Sequence, residues 1–149
     1  MKKIRILAIS SSGGHWIQLN RLRPFLDSFD TVYASTDDTL GEVFDEKFYS
    51  LKDASMWDKP GLVILAFQVF WLLLKVRPDV VISTGAAPGF FALLFGKILM
   101  RKTIWVDSMA NADEMSLAGR KIKPFVDVWL TQWEDLATTG GPSYRGQVL

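Results

Sequence analysis

The chain has 149 residues, 49% of them hydrophobic, and its 17 Lys and Arg nearly balance its 16 Asp and Glu, for a formal net charge of +1. This length suits one domain with a hydrophobic core, and the composition excludes a disordered or fibrous chain. The lack of cysteine excludes disulfides and thiolate metal sites, and a single histidine excludes a multi-histidine metal centre. We therefore expect one domain over residues 1–149, no metal site and, because the charge is balanced, no nucleic-acid partner.

Short segments rich in β-branched and aromatic residues alternate along the chain with longer segments that can form helices. Strands are predicted at residues 4–9, 31–35, 48–51, 80–83, 103–106 and 127–130. Helices are predicted at residues 15–26, 60–76, 88–100 and 132–137, with a kink or an end near Arg23 because Pro24 follows it. This alternation predicts the fold class α/β, with a single Rossmann-like, doubly wound and mainly parallel sheet.

The two ends of the chain have weaker patterns. Lys2, Lys3 and Arg5 resemble the start of a signal peptide, but the apolar run at residues 4–9 is too short for one and leads directly into Ser and Gly. We therefore expect a buried first strand at this position. From Thr138 onward the pattern is loose, and no strand or helix is predicted there.

Residues 60–74 form the most unusual segment, because they carry no charge and Gln68 is their only strongly polar side chain. As a helix this segment would span roughly 22 Å, less than the ~30 Å hydrocarbon core of a bilayer. A helix that is apolar nearly all round is either buried on all sides or in contact with lipid or a partner. The candidate membrane-contact residues are Trp57, Leu65, Trp71, Leu72 and Lys75.

Basic side chains surround this apolar segment. Residues 59–123 carry nine Lys and Arg against four Asp and Glu, although the whole chain is nearly neutral. Such a region favours an anionic surface, since each basic residue near one contributes about 1 kcal/mol. A solvated basic rim with no partner is the alternative interpretation.

Three predicted strands are followed by loops of small and polar residues, which should emerge at one edge of a parallel sheet. The loop residues are Ser10, Ser11, Ser12, Gly13, Gly14 and His15, then Ser83, Thr84 and Gly85, then Asp107, Ser108 and Asn111. The first loop leads into a helix and suits an anion such as phosphate, but it lacks the dinucleotide-binding spacing of glycines. A tight turn without a ligand is the alternative.

Two side chains in these loops can take part in chemistry. His15 could accept a proton from a substrate hydroxyl as a general base, or it could simply cap the loop. Asp107 could accept a hydrogen bond from a sugar hydroxyl, orient the histidine, or cap a nearby helix, which is the commoner role of Asp.

Five motifs occur in order along the chain: Ser11-Ser12-Gly13-Gly14-His15, Ser83-Thr84-Gly85, Val106-Asp107-Ser108, Ser116-Leu117-Ala118-Gly119 and Gln132-Trp133-Glu134-Asp135-Leu136. Together they resemble the Alg14 family of oligosaccharide-biosynthesis subunits, which includes bacterial relatives in capsule and exopolysaccharide gene clusters. The resemblance covers essentially the whole chain. It implies the N-terminal, acceptor-side half of a GT-B glycosyltransferase that is split into two chains.

The resemblance also implies the partners and the location. A separate donor-binding glycosyltransferase subunit would bind most of the nucleotide sugar, which is a substrate, so no cofactor is expected. The chain would lie at the cytoplasmic face of the inner or plasma membrane, as a peripheral or monotopic protein, next to a lipid-linked sugar acceptor. It would take part in an inverting transfer and be inactive alone.

The resemblance makes His15 the candidate catalytic base. The residues that it places near the acceptor or substrate are Ser11, Ser12, Gly13, Gly14, Ser83, Thr84, Gly85, Asp107, Ser108 and Asn111. Two positions depart from the family pattern, because Asp107 stands where Glu is expected and Asn111 stands where a basic residue is frequent.

Two other functions fit parts of the sequence. The chain could be a non-catalytic membrane anchor that recruits and activates a catalytic partner, in which case the apolar helices carry the function. It could also be a small nucleotide-binding oxidoreductase in which Asp37 or Asp38 contacts a ribose, although the third glycine of the expected motif is missing.

Overall fold

A computed structural model describes residues 2–44 and 47–148. Within this part of the chain, seven parallel strands form one sheet in the order β3-β2-β1-β4-β5-β6-β7. The strands are β1 (Arg5–Ile9), β2 (Asp30–Ser35), β3 (Phe48–Ser50), β4 (Val80–Ser83), β5 (Lys102–Val106), β6 (Val128–Thr131) and β7 (Ser143–Tyr144). The helices are α1 (Gly14–Arg21), α2 (Arg23–Leu26), α3 (Gly41–Phe44), α4 (Lys59–Val76), α5 (Ala86–Ile98) and α6 (Leu117–Ile122).

The predicted α/β fold with a doubly wound sheet is confirmed, since successive side chains of β1 pack against helices on opposite faces of the sheet. Ile6 and Ala8 pack on one face of the sheet, in a cluster with residues of α1 and α2. Leu7 and Ile9 point to the other face and pack with residues of α4, α5 and α6. A strand that is buried on both faces needs apolar residues at every position, which explains the continuous apolar run at the start of the chain.

All six predicted strands form, and the differences concern short elements. The predicted first helix divides at Leu22 into α1 and α2, as Pro24 led us to expect. The helix predicted at residues 132–137 is only a 3-10 turn, Glu134–Leu136. Helices α3 and α6 and strand β7 were not predicted, since elements of two to six residues show no hydrophobic period.

Helix α4 has one buried side and one exposed side. Leu65, Val69, Leu72, Leu73 and Val76 are buried in the core against the sheet. The opposite side, which we call the apolar face of α4, exposes Val63, Ile64, Phe67, Phe70, Trp71 and Leu74. The helix is long and apolar enough to cross a membrane by length and composition, but one third of it, 33%, is buried inside the protein.

This arrangement corrects part of the membrane-contact prediction. Leu65 and Leu72 are 0% and 1% exposed and belong to the core. The prediction that these two residues contact the membrane is therefore wrong. The sequence could not separate the two sides, because a helix that is apolar all round has no polar side to show which way it faces. Trp57, Trp71 and Lys75 are exposed, and the Lys75 ammonium lies 4.8 Å from the centre of the Trp71 ring.

Candidate functional site

The strand order reverses between β1 and β4, which are adjacent in the sheet although β2 and β3 lie between them in sequence. In open parallel sheets, ligands bind in the crevice outside the carboxyl ends of the strands at such a reversal. The loop after β1 and the loop after β4 flank this crevice, and they are the two glycine-containing loops that the sequence singled out. The topology thus brings His15 and Thr84 together from positions far apart in the chain.

His15 is held by two hydrogen bonds to Thr84. Its Nδ1 lies 3.1 Å from the carbonyl oxygen of Thr84, and the Thr84 hydroxyl donates to the His15 carbonyl oxygen at 2.6 Å. A carbonyl oxygen only accepts hydrogen bonds, so Nδ1 carries the proton in this contact. In the neutral imidazole Nε2 is then the unprotonated nitrogen and the atom that can take a proton.

Gly85 allows the imidazole ring to lie against the β4 loop. A β-carbon at Gly85 would lie 2.5 Å from Nδ1 of His15. The backbone φ of Gly85 is +138°, a value that residues with a side chain rarely adopt. The next residue, Ala86, also has a positive φ of 67°. A non-glycine residue in the left-handed region costs of order 1–3 kcal/mol, and such strain concentrates at functional sites.

Substituting Gly85 with alanine is therefore expected to displace the His15 ring and to lower the free energy of unfolding by about 2–4 kcal/mol. The matched control is Gly14→Ala, because a β-carbon at Gly14 meets no atom within 4 Å. Urea denaturation measures the stability change. The imidazole signals in an NMR spectrum report the ring, since the chain has one histidine. Unchanged signals and stability in Gly85→Ala would contradict this role of Gly85.

The glycine-rich loop presents backbone N–H groups at the start of α1. Gly13 and Gly14 are exposed, Gly13 has φ +76°, and the first helical hydrogen bond runs from Ile17 N to Gly13 O at 3.0 Å. No side chain caps α1, and none caps α5, which begins after Gly85. The first-turn N–H groups of a helix have no partner within the helix and favour an anion. Two such helix ends lie at this edge of the sheet.

The Asp107 side chain in the third loop is held inside the protein. The Asp107 carboxylate is 1% exposed and accepts hydrogen bonds from Trp105 Nε1 at 2.9 Å and from the Ser116 N–H and hydroxyl at 2.8 and 2.5 Å. Ser116 in turn caps α6 by accepting from Gly119 N. Asp107 therefore does not cap a helix itself but holds Ser116, the residue that caps α6, and its hydrogen bonds go to Trp105 and Ser116 and not to His15.

Four further predicted contacts are corrected, because Ser83, Thr84, Gly85 and Ser108 are all buried. The side chains of Ser83, Thr84 and Ser108 are buried, and each is engaged inside the protein. The Ser83 hydroxyl accepts from Gly85 N at 3.0 Å, and the Ser108 hydroxyl accepts from Gln18 Nε2 at 3.1 Å. The residues predicted at the site that remain at least partly exposed are Ser11, Ser12, Gly13, Gly14, His15 and Asn111.

Thr36 belongs to the site although the sequence did not indicate it. Its hydroxyl accepts from Ser12 N at 3.1 Å and thereby shapes the glycine-rich loop. Its place directly after β2, the strand beside β1, was a usable signal. Asp37, proposed as a ribose contact in a dehydrogenase, instead accepts from Thr39 N and from the Thr39 hydroxyl at 3.0 and 2.6 Å.

Solved structures with the same fold are glycosyltransferases and epimerases. The structure of MurG from Acinetobacter baumannii matches 95% of this chain with a TM-score of 0.78 and 9% identity. A UDP-N-acetylglucosamine 2-epimerase from Rickettsia bellii matches 89% of it with a TM-score of 0.70 and 17% identity. The chain spans 45% and 40% of these two proteins, so it corresponds to less than half of each.

Two sequence relatives are similar over most of their length. The UDP-N-acetylglucosamine transferase subunit alg14 of Schizosaccharomyces pombe is 30% identical, with 89% of this chain and 77% of the relative covered. The mouse subunit of the same name is 24% identical over 99% of this chain and 84% of the relative. Residues 53–148 match the model of the family described as oligosaccharide biosynthesis protein Alg14 like. The chain belongs to this Alg14-like family.

Proposed function

We propose that this chain is the acceptor-side subunit of a two-chain, inverting glycosyltransferase. The complex transfers a sugar from a nucleotide sugar to a polyprenyl-diphosphate-linked acceptor in capsule, exopolysaccharide or oligosaccharide biosynthesis. The observation that carries the proposal is the crevice between β1 and β4, where His15 and two uncapped helix ends meet in a chain of the Alg14-like family. The names of the relatives make UDP-N-acetylglucosamine the first donor to test.

The geometry of His15 supports a direct displacement. The acceptor hydroxyl oxygen forms a bond to the anomeric carbon, while the bond from that carbon to the diphosphate oxygen breaks and the nucleoside diphosphate leaves with the electron pair. The hydroxyl proton goes to Nε2 of His15, which the contact of Nδ1 with Thr84 leaves unprotonated. The N–H groups at the starts of α1 and α5 suit a diphosphate, because anions are stabilised at helix N-termini.

A separate donor-binding subunit is part of the proposal. The chain forms one parallel sheet and spans 45% of the MurG chain, whose fold it shares. The exposed loop around Gly13 and Gly14 would then face the second half of the complete enzyme across the crevice. The relatives are named as subunits, which agrees with an active site completed by another chain.

We also propose that the subunit associates with the cytoplasmic face of the inner or plasma membrane through the apolar face of α4. That face is flanked by Trp57, which is 85% exposed, and by the exposed basic residues Lys59, Lys75 and Arg77. Aromatic rings and basic side chains around an apolar patch suit an anionic lipid surface. The same face also suits the alternative function of a non-catalytic anchor, so activity must be tested separately from membrane binding.

Reconstitution tests the proposal. The chain is combined with the product of a neighbouring gene that encodes a donor-binding half, radiolabelled UDP-N-acetylglucosamine and lipid extract from the source cells as acceptor. We expect label in the lipid fraction only when both chains are present. Transfer by the donor-binding chain alone at the rate of the pair would favour the anchor function. Transfer by the present chain alone would contradict the split enzyme.

A further inference from the structure

Two buried glutamines meet at the carboxyl edge of the sheet, beside the candidate site. Gln18, on α1, is 9% exposed, and Gln132, directly after β6, is 1% exposed. Nε2 of Gln132 donates to Oε1 of Gln18 at 2.5 Å. Neither residue has a role in the chemistry derived above, although Gln132 opens one of the sequence motifs. Buried amides are retained only when their hydrogen bonds are satisfied, so their partners show what they hold together.

The partners of this pair come from the loop after β5. Gln132 Nε2 also donates to the Asp107 carbonyl oxygen at 2.9 Å, and Gln18 Oε1 also accepts from Met109 N at 3.2 Å. Gln18 Nε2 donates to the Ser108 hydroxyl. Both amide groups therefore form hydrogen bonds within the protein, and together they tie α1 to the loops after β5 and β6.

The remaining acceptor of the pair is used by the segment after β7. Val148 N donates to Gln132 Oε1 at 2.8 Å, and Arg21 Nη1, at the end of α1, donates to the Val148 carbonyl oxygen at 3.2 Å. We call residues 145–148 the strap. The strap is thus joined to α1 twice, directly through Arg21 and indirectly through the two glutamines. Since α1 carries His15 one helical turn before Gln18, its position determines where Nε2 of His15 lies.

We propose that Gln18 and Gln132 are positioning residues for His15, and that the strap acts on the site through the Val148 N–H. The amide pair fixes the rotation and height of α1 on the sheet, so that the His15 ring meets the Thr84 carbonyl oxygen and Nε2 faces the crevice. A misplacement of about 1 Å at a reacting group costs up to 10²-fold in rate. The catalytic meaning of this proposal rests on the proposed function, but the geometric coupling does not.

A proline at position 148 tests the coupling, because it removes the N–H that donates to Gln132 Oε1; it also fixes the backbone φ at that position, which the double mutant with Gln132→Met controls for. Val148→Ala, which keeps that N–H, is the matched control. The full-length chain without a histidine tag is compared by NMR, with the imidazole nitrogen and proton shifts of His15 as the measurement. We expect shifted His15 signals in Val148→Pro and wild-type signals in Val148→Ala. Thermal stability should be lower in Val148→Pro than in Val148→Ala, because Gln132 Oε1 loses its donor. His15 signals at the wild-type positions in a folded Val148→Pro protein would overturn the proposal.

A double-mutant comparison assigns the effect to the amide pair. Gln132→Met removes the acceptor of the Val148 N–H, so adding Val148→Pro to it should shift the His15 signals no further. In the complex with the donor-binding chain, we expect Val148→Pro to lower kcat about tenfold and to leave KM for the nucleotide sugar nearly unchanged. Additive effects of the two substitutions would contradict the relay. Shifted signals without transfer by any wild-type complex would instead contradict the proposed function.

Discussion

Replacing His15 with glutamine is expected to lower the rate of sugar transfer by the two-chain complex by about 10²–10⁴-fold, the usual contribution of a general base. Glutamine is similar in length and polar, but its amide cannot take a proton from the acceptor hydroxyl near neutral pH. His15 is partly exposed, and the hydrogen-bond partner of its Nδ1 is the backbone carbonyl of Thr84. The substitution therefore leaves no charged partner unpaired. The loss should therefore appear in kcat, measured by transfer of radiolabelled sugar at saturating donor.

Thr84→Val is the matched control for His15→Gln. It removes the hydroxyl that donates to the His15 carbonyl oxygen but leaves the Thr84 carbonyl that sets the histidine tautomer. We expect a loss below about tenfold from Thr84→Val, since one hydrogen bond contributes about 1 kcal/mol. Transfer at the wild-type rate by His15→Gln would show that His15 is not the base. The anchor function would then become the better explanation of the chain.

Introducing glutamate at Phe67 and Trp71 together is expected to weaken binding to anionic phospholipid vesicles by about 100-fold or more. The two rings are 73% and 56% exposed, so they can be buried in a lipid interface without unfolding the protein. Burial of each large apolar side chain contributes about 1.5–3 kcal/mol, and the added carboxylates are repelled by anionic lipid. Vesicle flotation measures the bound fraction.

Two further variants separate membrane contact from folding. Phe25→Glu is the matched control, because Phe25 is 63% exposed on α2, which packs on the opposite face of the sheet. We expect it to float like the wild type. Leu65→Glu should instead unfold the protein, since it buries a carboxylate among core side chains. If the Phe67 and Trp71 variant floats normally but no longer binds the donor-binding chain, the apolar face of α4 is a protein interface and the membrane proposal is wrong.

The strands and the edge that carries the site follow from the sequence because their physical signals are local. A strand buried on both faces must be mostly apolar, and residues 6–9 and 80–82 show this pattern without reference to the rest of the chain. Parallel strands then place the loops at Gly13 and Gly85 on the same edge. Strand β7, which pairs with β6, has no such signal, because two residues are too few to show a pattern.

The amino-acid sequence by itself determined the α/β class, the glycine-rich loop with His15 and, through its ordered motifs, the resemblance to the Alg14 family. Only the tertiary structure decided which polar side chains serve the site and which serve the fold. Asp107 and Ser108 resemble substrate contacts in the sequence, until packing shows which hydrogen-bond partners surround them. It also decided which side of α4 is free, because an evenly apolar helix is oriented by what it packs against and not by its own pattern.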